Sequence, residues 1–294
     1  MRLANENAAT AFRVLNKCCE ELKPEGPWRW RCAAQNGTRL PIAASLEEGF
    51  LHLACRAEGF RKPACTLEHI VLGNSMLAGG AKLALSGRSC RLHLTADIAM
   101  LEEEQVLNRL RLALDGFHDG HRLLKSPASC LSRAARQTTE PGAGLGELLR
   151  ETAWTFTERG ANDFSAELDA HSAPPARIRI SDGVVLSLEL VRSMATSETS
   201  RRALALFLLT ATGALRLARA YAEEVESGLA FGIEVHLPTA PAVEEIDHAL
   251  AALSIARRVC ARETNVLLNE AAARRYLAAR NLSNTNAPQS EKEN

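Results

Sequence analysis

Eight cysteines and eight histidines are the side chains best suited to metal binding or nucleophilic chemistry in this sequence. The cysteines are Cys18, Cys19, Cys32, Cys55, Cys65, Cys90, Cys130 and Cys260, and no two have C-x-x-C spacing. Cys18 and Cys19 with His118 or His121 supply zinc-ligand types, but not the spacing of a zinc module. A disulfide framework belongs to small secreted domains that lack a core. A chain of 294 residues can bury one, and the N-terminal MRLANENAATAFRVLNKCCEEL has no apolar stretch of signal-peptide length. The cysteines are therefore expected to be reduced, buried, small apolar residues.

The histidines carry little catalytic signal. His52, His69, His93 and His236 fall in expected strands or helices, where a histidine is more often an ordinary hydrogen-bonded residue than a catalyst. His118-Asp119-Gly120-His121 reads as a solvated helix end. No H-E-x-x-H, nucleophile elbow or Ser/His/Asp order is present. Gly142-x-Gly144-x-Gly146 precedes a helix but follows no strand, so it reads as linker rather than phosphate loop. The expectation is a protein without catalysis, cofactor or metal. Lys+Arg and Asp+Glu are both 35, which leaves no basic surplus for nucleic acid. The longest run of low polarity, Ala203–Leu215, is shorter than the about 20 residues a membrane span needs. The expected location is the cytoplasm.

The elements that must position these residues recur. A shift of 143 residues lays His93-Leu94 on His236-Leu237, Glu102 on Glu245, Leu107 on Leu250, Leu110 on Leu253, Ala113 on Ala256 and Leu124 on Leu267. In the first copy the pattern predicts a helix over about 5–22 and strands over Trp28–Ala34, Arg39–Ala44 and Phe50–Cys55. Gln35-Asn36-Gly37 joins the first two as a hairpin turn. A helix over Thr66–Leu77 stops at Gly79-Gly80, and a hairpin Lys82–Leu85 with Arg91–Leu94 turns at Ser86-Gly87-Arg88. A last helix starts near Asp97, which has the chemistry of an N-cap.

The second copy repeats the order. It has a helix over Leu145–Glu158, strands over Phe164–Ala170, Arg177–Ser181 and Val184–Val191, and a turn at Ser181-Asp182-Gly183. A helix over Arg201–Ala222, a strand over Leu229–Leu237 and a helix over Pro241–Arg280 follow. The domain plan is 1–126, a linker over 127–144, 145–280, and a polar tail over 281–294 that reads as disordered. The fold class is α+β: two tandem copies of a helix–antiparallel sheet–helix module, docked as an internal pseudo-dimer.

Three segments of the first copy resemble the class I chaperones of bacterial type III secretion, the Tir-chaperone or CesT-like family. They are the hairpin around Trp30–Ala44 with Phe50–Cys55, the stretch Leu67-Glu68-His69-Ile70-Val71-Leu72-Gly73-Asn74 leading into Gly79–Leu85, and Leu92-His93-Leu94 before a Glu-rich helix start. The second copy is similar more loosely, through Ala203–Ala222 and Gly228–Leu268. Members of that family are usually small, acidic homodimers, whereas this chain is neutral and doubled. The resemblance implies that the chain holds the N-terminal chaperone-binding segment of a secreted effector or translocator in an extended, secretion-competent state. It implies client contact on exposed apolar strand faces, with Trp28, Trp30, Leu40 and Ile42 in the first copy and Leu186 and Leu188 in the second. It places the interface between copies at Leu72, Leu77, Leu83 and Leu85 against Leu206, Leu209 and Leu215. Further pairing of the pseudo-dimeric chain stays open; the second reading is an adaptor for a folded secretion component, and an enzyme with an unrecognised Cys/His site is the third.

Overall fold

Hydrophobic alternation along each strand and a three- to four-residue apolar spacing along each helix together build two similar α+β units in the computed structural model of the chain. The structure describes residues 2–34, 39–56, 67–86, 91–125, 144–160, 162–168, 175–180, 183–193, 197–226 and 228–280. The expected turns at 35–37, 86–88 and 181–183, most of the linker and the tail lie partly or wholly outside these residues.

The first unit opens with helix α1 (Arg2–Cys18) and strands β1 (Cys19–Gly26), β2 (Arg29–Ala34), β3 (Pro41–Glu47) and β4 (Phe50–Arg56). Helix α2 (Leu67–Asn74), strands β5 (Lys82–Ser86) and β6 (Arg91–Ala99) and helix α3 (Glu103–Lys125) complete it. The second unit has helix α4 (Leu145–Glu151) and strands β7 (Phe156–Gly160), β8 (Asp163–Ala166), β9 (Ala176–Ile180) and β10 (Val184–Ser193). Helix α5 (Glu198–Ala214), strands β11 (Arg219–Val225) and β12 (Gly228–Leu237) and helices α6 (Val243–Leu267) and α7 (Glu270–Ala279) follow.

The two sheets have one topology. The first runs β1-β2-β3-β4-β6-β5 and the second, from its outer edge, β7-β8-β9-β10-β12-β11. Every recorded pairing is antiparallel. In each unit the next-to-last strand is the edge nearest the other unit. There β5 packs on α5, β11 packs on α2, and α2 packs on α5. These contacts are reciprocal, as in a two-fold dimer joined into one chain.

Several boundaries differ from the sequence pattern, each for a local reason. The first helix ends at Cys18 and the chain passes directly into β1, which is bulged against β2 where Glu21 takes φ 53°. The expected Arg201–Ala222 helix divides into α5 and β11, with Leu217 at φ 60° between them. The Leu145–Glu158 helix likewise stops at Glu151 and gives way to β7. The last helix breaks at Asn269, whose side chain accepts the Ala272 N–H at 3.1 Å and starts α7. Asp97 is no N-cap: it sits inside β6, and α3 begins at Glu103 and Glu104, whose charges suit the helix N-terminus.

The repeat also drifts along its length. Leu110, Ala113 and Phe117 of α3 and Leu253, Ala256 and Cys260 of α6 are all fully buried, so the 143-residue shift holds in the helices. In the strands, Thr95 stands opposite Lys82 and Glu234 opposite Arg219, and Lys82 and Arg219 are the first residues of β5 and β11. That register matches Thr95 with Glu234, a shift of 139. His236 therefore corresponds to Asp97, not to His93.

Candidate functional site

The most strongly constrained chemistry lies on the seam between the units, and it is made by two buried cations. Lys82 reaches out of β5 with its Nζ donating to the carbonyls of Thr212 at 3.1 Å, Ala218 at 3.2 Å and Leu215, at the end of α5 and the start of β11. Arg219 does the converse from β11. Its Nη1 donates to the carbonyls of Leu77 at 2.8 Å and Ala81 at 3.2 Å, and its Nη2 to that of Ser75 at 3.3 Å. Lys82 and Arg219, Ala81 and Ala218, and Ser75 and Thr212 are each 137 residues apart, so the contacts are matched as well as reciprocal. Carbonyls at a helix C-terminus lack intrahelical partners and carry partial negative charge, which suits a cation there.

Each cation has a carboxylate in its own unit. Arg219 Nε donates to Glu234 Oε1 at 2.8 Å, with both side chains almost wholly buried. Lys82 Nζ lies 3.5 Å from Asp97 Oδ2, both again buried. Asp97 is the hub of its half: Oδ1 meets His52 Nδ1 at 2.8 Å, and Oδ2 accepts the Leu217 N–H of the other unit at 3.1 Å. Burial pushes the Asp97 carboxyl up, but the His52 hydrogen bond, the Lys82 ammonium and the Leu217 N–H outweigh it and hold it well below the usual range. Burial holds the Lys82 ammonium below its ordinary value, with Asp97 opposing.

A carboxylate with a depressed folded pKa adds stability above its unfolded value, about 4, and loses it as pH falls towards the folded value. Asp97→Asn is therefore expected to lower stability at pH 7 and to flatten the acid limb below about pH 4. Urea midpoints from pH 7 to pH 2.5 measure this, and parallel curves for the two proteins would count against it.

Around this core the seam is sealed by other pairs. Arg109 of α3 forms a bidentate pair with Glu245 of α6, whose Oε2 also accepts the Ala242 N–H at 2.8 Å. Arg216 donates to the Glu47 carbonyl at 3.1 Å and lies 5.6 Å from the centre of the Phe50 ring, against which His248 also packs. A cavity of about 100 Å³ opens between these groups, lined by Gly79, Gly80 and Leu112 from one unit and Leu217, His236 and His248 from the other.

The expected client-contact residues have a different place. Trp30, Leu40, Ile42, Leu186 and Leu188 are buried, and of the six only Trp28 is exposed, at 45%. Strand alternation put Trp30 and Ile42 on one face, as expected, but that face turns inward: Gly120 of α3 lies against Leu94 of the same sheet. Leu186 and Leu188 belong to β10, which α6 covers. The exposed face expected from these five side chains is therefore the core.

The expected interface elements do meet, but not through all the expected side chains. Leu83 stands opposite Leu94 and so faces α3, as does Leu85, while Lys82 and Ala84 face the other unit. Leu85 touches the seam through its carbonyl, which lies against Gly213 of α5. Leu77 and Leu215 also contribute carbonyls, to the two cations. Leu206 and Leu209 are fully buried in α5, and Leu72 is half-buried in α2.

One row escaped the sequence reading. Ser45, His52 and Asp97 stand directly opposite one another on β3, β4 and β6. They are the residue types of an acyl-transfer triad, but the Ser45 hydroxyl donates to Glu47 Oε1 at 3.2 Å instead of engaging His52. Only register could have revealed the row, since 45, 52 and 97 have no motif spacing.

Cys18, Cys19, Cys32, Cys55 and Cys260 are buried and free of disulfides, while Cys65, Cys90 and Cys130 lie outside the described residues. Burial pushes the Cys260 thiol up to about 12. A hydrogen bond with Cys32, then burial, keeps Cys19 protonated. Iodoacetamide at pH 8 is expected to modify these five at least a hundredfold more slowly in the folded protein than in denaturant, as peptide mapping can measure; equal rates would contradict the packing.

Among the described residues no group of three His, Cys, Asp or Glu side chains is placed to hold a metal ion, and no helix is long and apolar enough to cross a membrane. No protein family, curated protein or solved structure matches the chain.

Proposed function

We propose that this chain is a non-catalytic chaperone that holds an extended segment of a secreted polypeptide, in the manner of the class I type III secretion chaperones it resembles. The observation that carries the reading is the doubled module with reciprocal docking of α2 on β11 and α5 on β5, which pairs two copies within one chain as a two-fold dimer would. Holding an unfolded chain requires surface more than chemistry, because ordering the client costs on the order of 2–5 kcal/mol and is offset only over a large contact. Two sheets docked through one edge each leave their opposite edges, β1 and β7, away from the seam, where a client could add as a strand.

Those edges are blunted. Pro24 and two register shifts interrupt β1, and Glu158 and Arg159 charge β7, so client contact extends onto the sheet faces. The cytoplasm is the compartment in which such a chaperone meets its client before export.

The test is to isolate the tagged chain from its native cells and measure hydrogen exchange in whatever polypeptide it holds. The expected partner exchanges fast throughout except in one segment that the chaperone protects. A partner protected throughout, as a folded protein is, would replace this reading with that of an adaptor. The absence of any bound polypeptide would reject both.

A further inference from the structure

The two units share a topology but not the surface they show to water. On the outward face of the first sheet, one row across the strands reads Arg31, Ala43, Ala54, Thr95, and the next reads Arg29, Ser45, His52, Asp97. Ala43 is exposed and Ala54 half-buried, so the centre of this face is a shallow trough floored by two methyl groups. Arg29, Arg31, Arg56 and Arg91 stand exposed around it. Lys23 and Glu20 stand on the same face of β1, and Glu25 pairs with Arg31 at 2.5 Å. Among the described residues, Arg29, Arg56 and Arg91 have no acidic partner. Burial first, then the nearby Arg56 and Arg91, holds the His93 imidazole below its ordinary value.

The second sheet closes the equivalent place itself. Its rows read Ser165, Arg177, Ser187, Glu234 and Asp163, Arg179, Val185, His236. Arg177 stands where the first unit has Ala43, and Asp163 where it has Arg29. The Arg177 guanidinium donates to both carboxylate oxygens of Asp163, at 3.0 and 2.7 Å, so a side chain lies across the trough and its charge is cancelled.

We propose that the outward face of the first sheet, and not its counterpart, is the docking surface for an acidic, extended segment of the client. This rests on the client-holding reading above and assigns it to one half of the molecule. Client carboxylates meet Arg29, Arg31 and Arg56, and small apolar side chains sit over Ala43 and Ala54. Charge excludes the segment joining the units as the occupant, since residues 126–143 carry Arg133 and Arg136 against Glu140. A nucleic acid strand is disfavoured because the trough is floored by methyl groups and not by stacking aromatic rings.

The test uses the full chain and three fluorescein-labelled probes: a 12-residue peptide of alternating Glu and Val, its Lys counterpart, and a uridine 12-mer. The Glu peptide is expected to bind, to weaken as salt rises, and to lose at least tenfold in affinity with Arg29→Glu/Arg56→Glu. Arg159→Glu/Arg179→Glu on the second sheet is expected to change affinity less than twofold. All four arginines sit on the water-facing side of their strands, and circular dichroism is the check that the variants fold. Equal binding of the Lys peptide, tighter binding of the uridine strand, or indifference to the first pair of substitutions would overturn the proposal. A native client retained by Arg29→Glu/Arg56→Glu would overturn it while leaving the chaperone reading intact; a wild-type chain that holds no client would remove the reading itself.

Discussion

Arg219→Met is expected to lower the unfolding free energy by about 3–5 kcal/mol, the usual cost of removing one partner from a buried ion pair. The side chain is 1% exposed and Glu234 6%, so water cannot replace the lost guanidinium. Its loss strands the Glu234 carboxylate and leaves the carbonyls of Ser75, Leu77 and Ala81 without the donor that bridges them to β11. Removing the stranded charge as well, in Arg219→Met/Glu234→Met, is expected to recover part of the loss, because a buried pair replaced by apolar groups is often near neutral. Arg219→Lys keeps the charge but not the fork that serves four acceptors, and should fall between. Urea unfolding measures all three. A loss below about 1 kcal/mol for Arg219→Met would mean that the cation is not what joins the units.

Gly213→Ala should destabilise although helix propensity alone favours alanine by about 1 kcal/mol. A Cβ at Gly213 in α5 would lie 2.4 Å from the Leu85 carbonyl oxygen and 3.6 Å from the Ala84 Cβ in β5. The obstacle is backbone of the other unit, which cannot rotate aside, so α5 must move off β5. The expected net loss is about 2–3 kcal/mol, within the range for overpacking. Gly146→Ala is the control, since its nearest neighbours are at 3.7 Å, in the Phe164 ring. A stability gain at Gly213 would show that α5 and β5 are not in backbone contact.

The parts of the fold that were legible in the sequence are those governed by local periodicity. Val184 to Val191 alternates as a strand must, and the stripe from Leu107 to Leu124 repeats as a helix must, so both elements lie close to where the pattern puts them. The duplication was legible because both copies solve one packing problem with the same order of apolar runs. Elements that depend on partners were not legible. Cys19–Gly26 contains Lys23, Pro24 and three glutamates, and is a strand because β2 offers it hydrogen bonds. Arg219–Val225 follows α5 after only Leu215–Ala218, which hold no glycine or proline, and Gly213 is itself inside the helix, so the division is not marked in the sequence; the segment is a strand through its pairing with β12.

The candidate site divides along the same line. Alternation says that Trp30 and Ile42 share a face and that Arg29, Arg31 and Ala43 share the other. Whether a given face meets a helix or water depends on the side from which α3 and α6 pack, which alternation within one strand does not encode. Lys82 and Arg219 look like ordinary strand residues, and the carbonyls they reach in the other unit stand 130 to 144 positions away in the chain.

The sequence alone thus determined the two α+β modules, their order and the absence of a long apolar span, because these follow from short-range pattern and composition. Tertiary structure alone decided which face of each sheet is core, which histidine matches which strand position, and that two buried cations join the modules. Those features depend on register and on contacts between distant residues, where burial removes water and makes each unpaired charge costly.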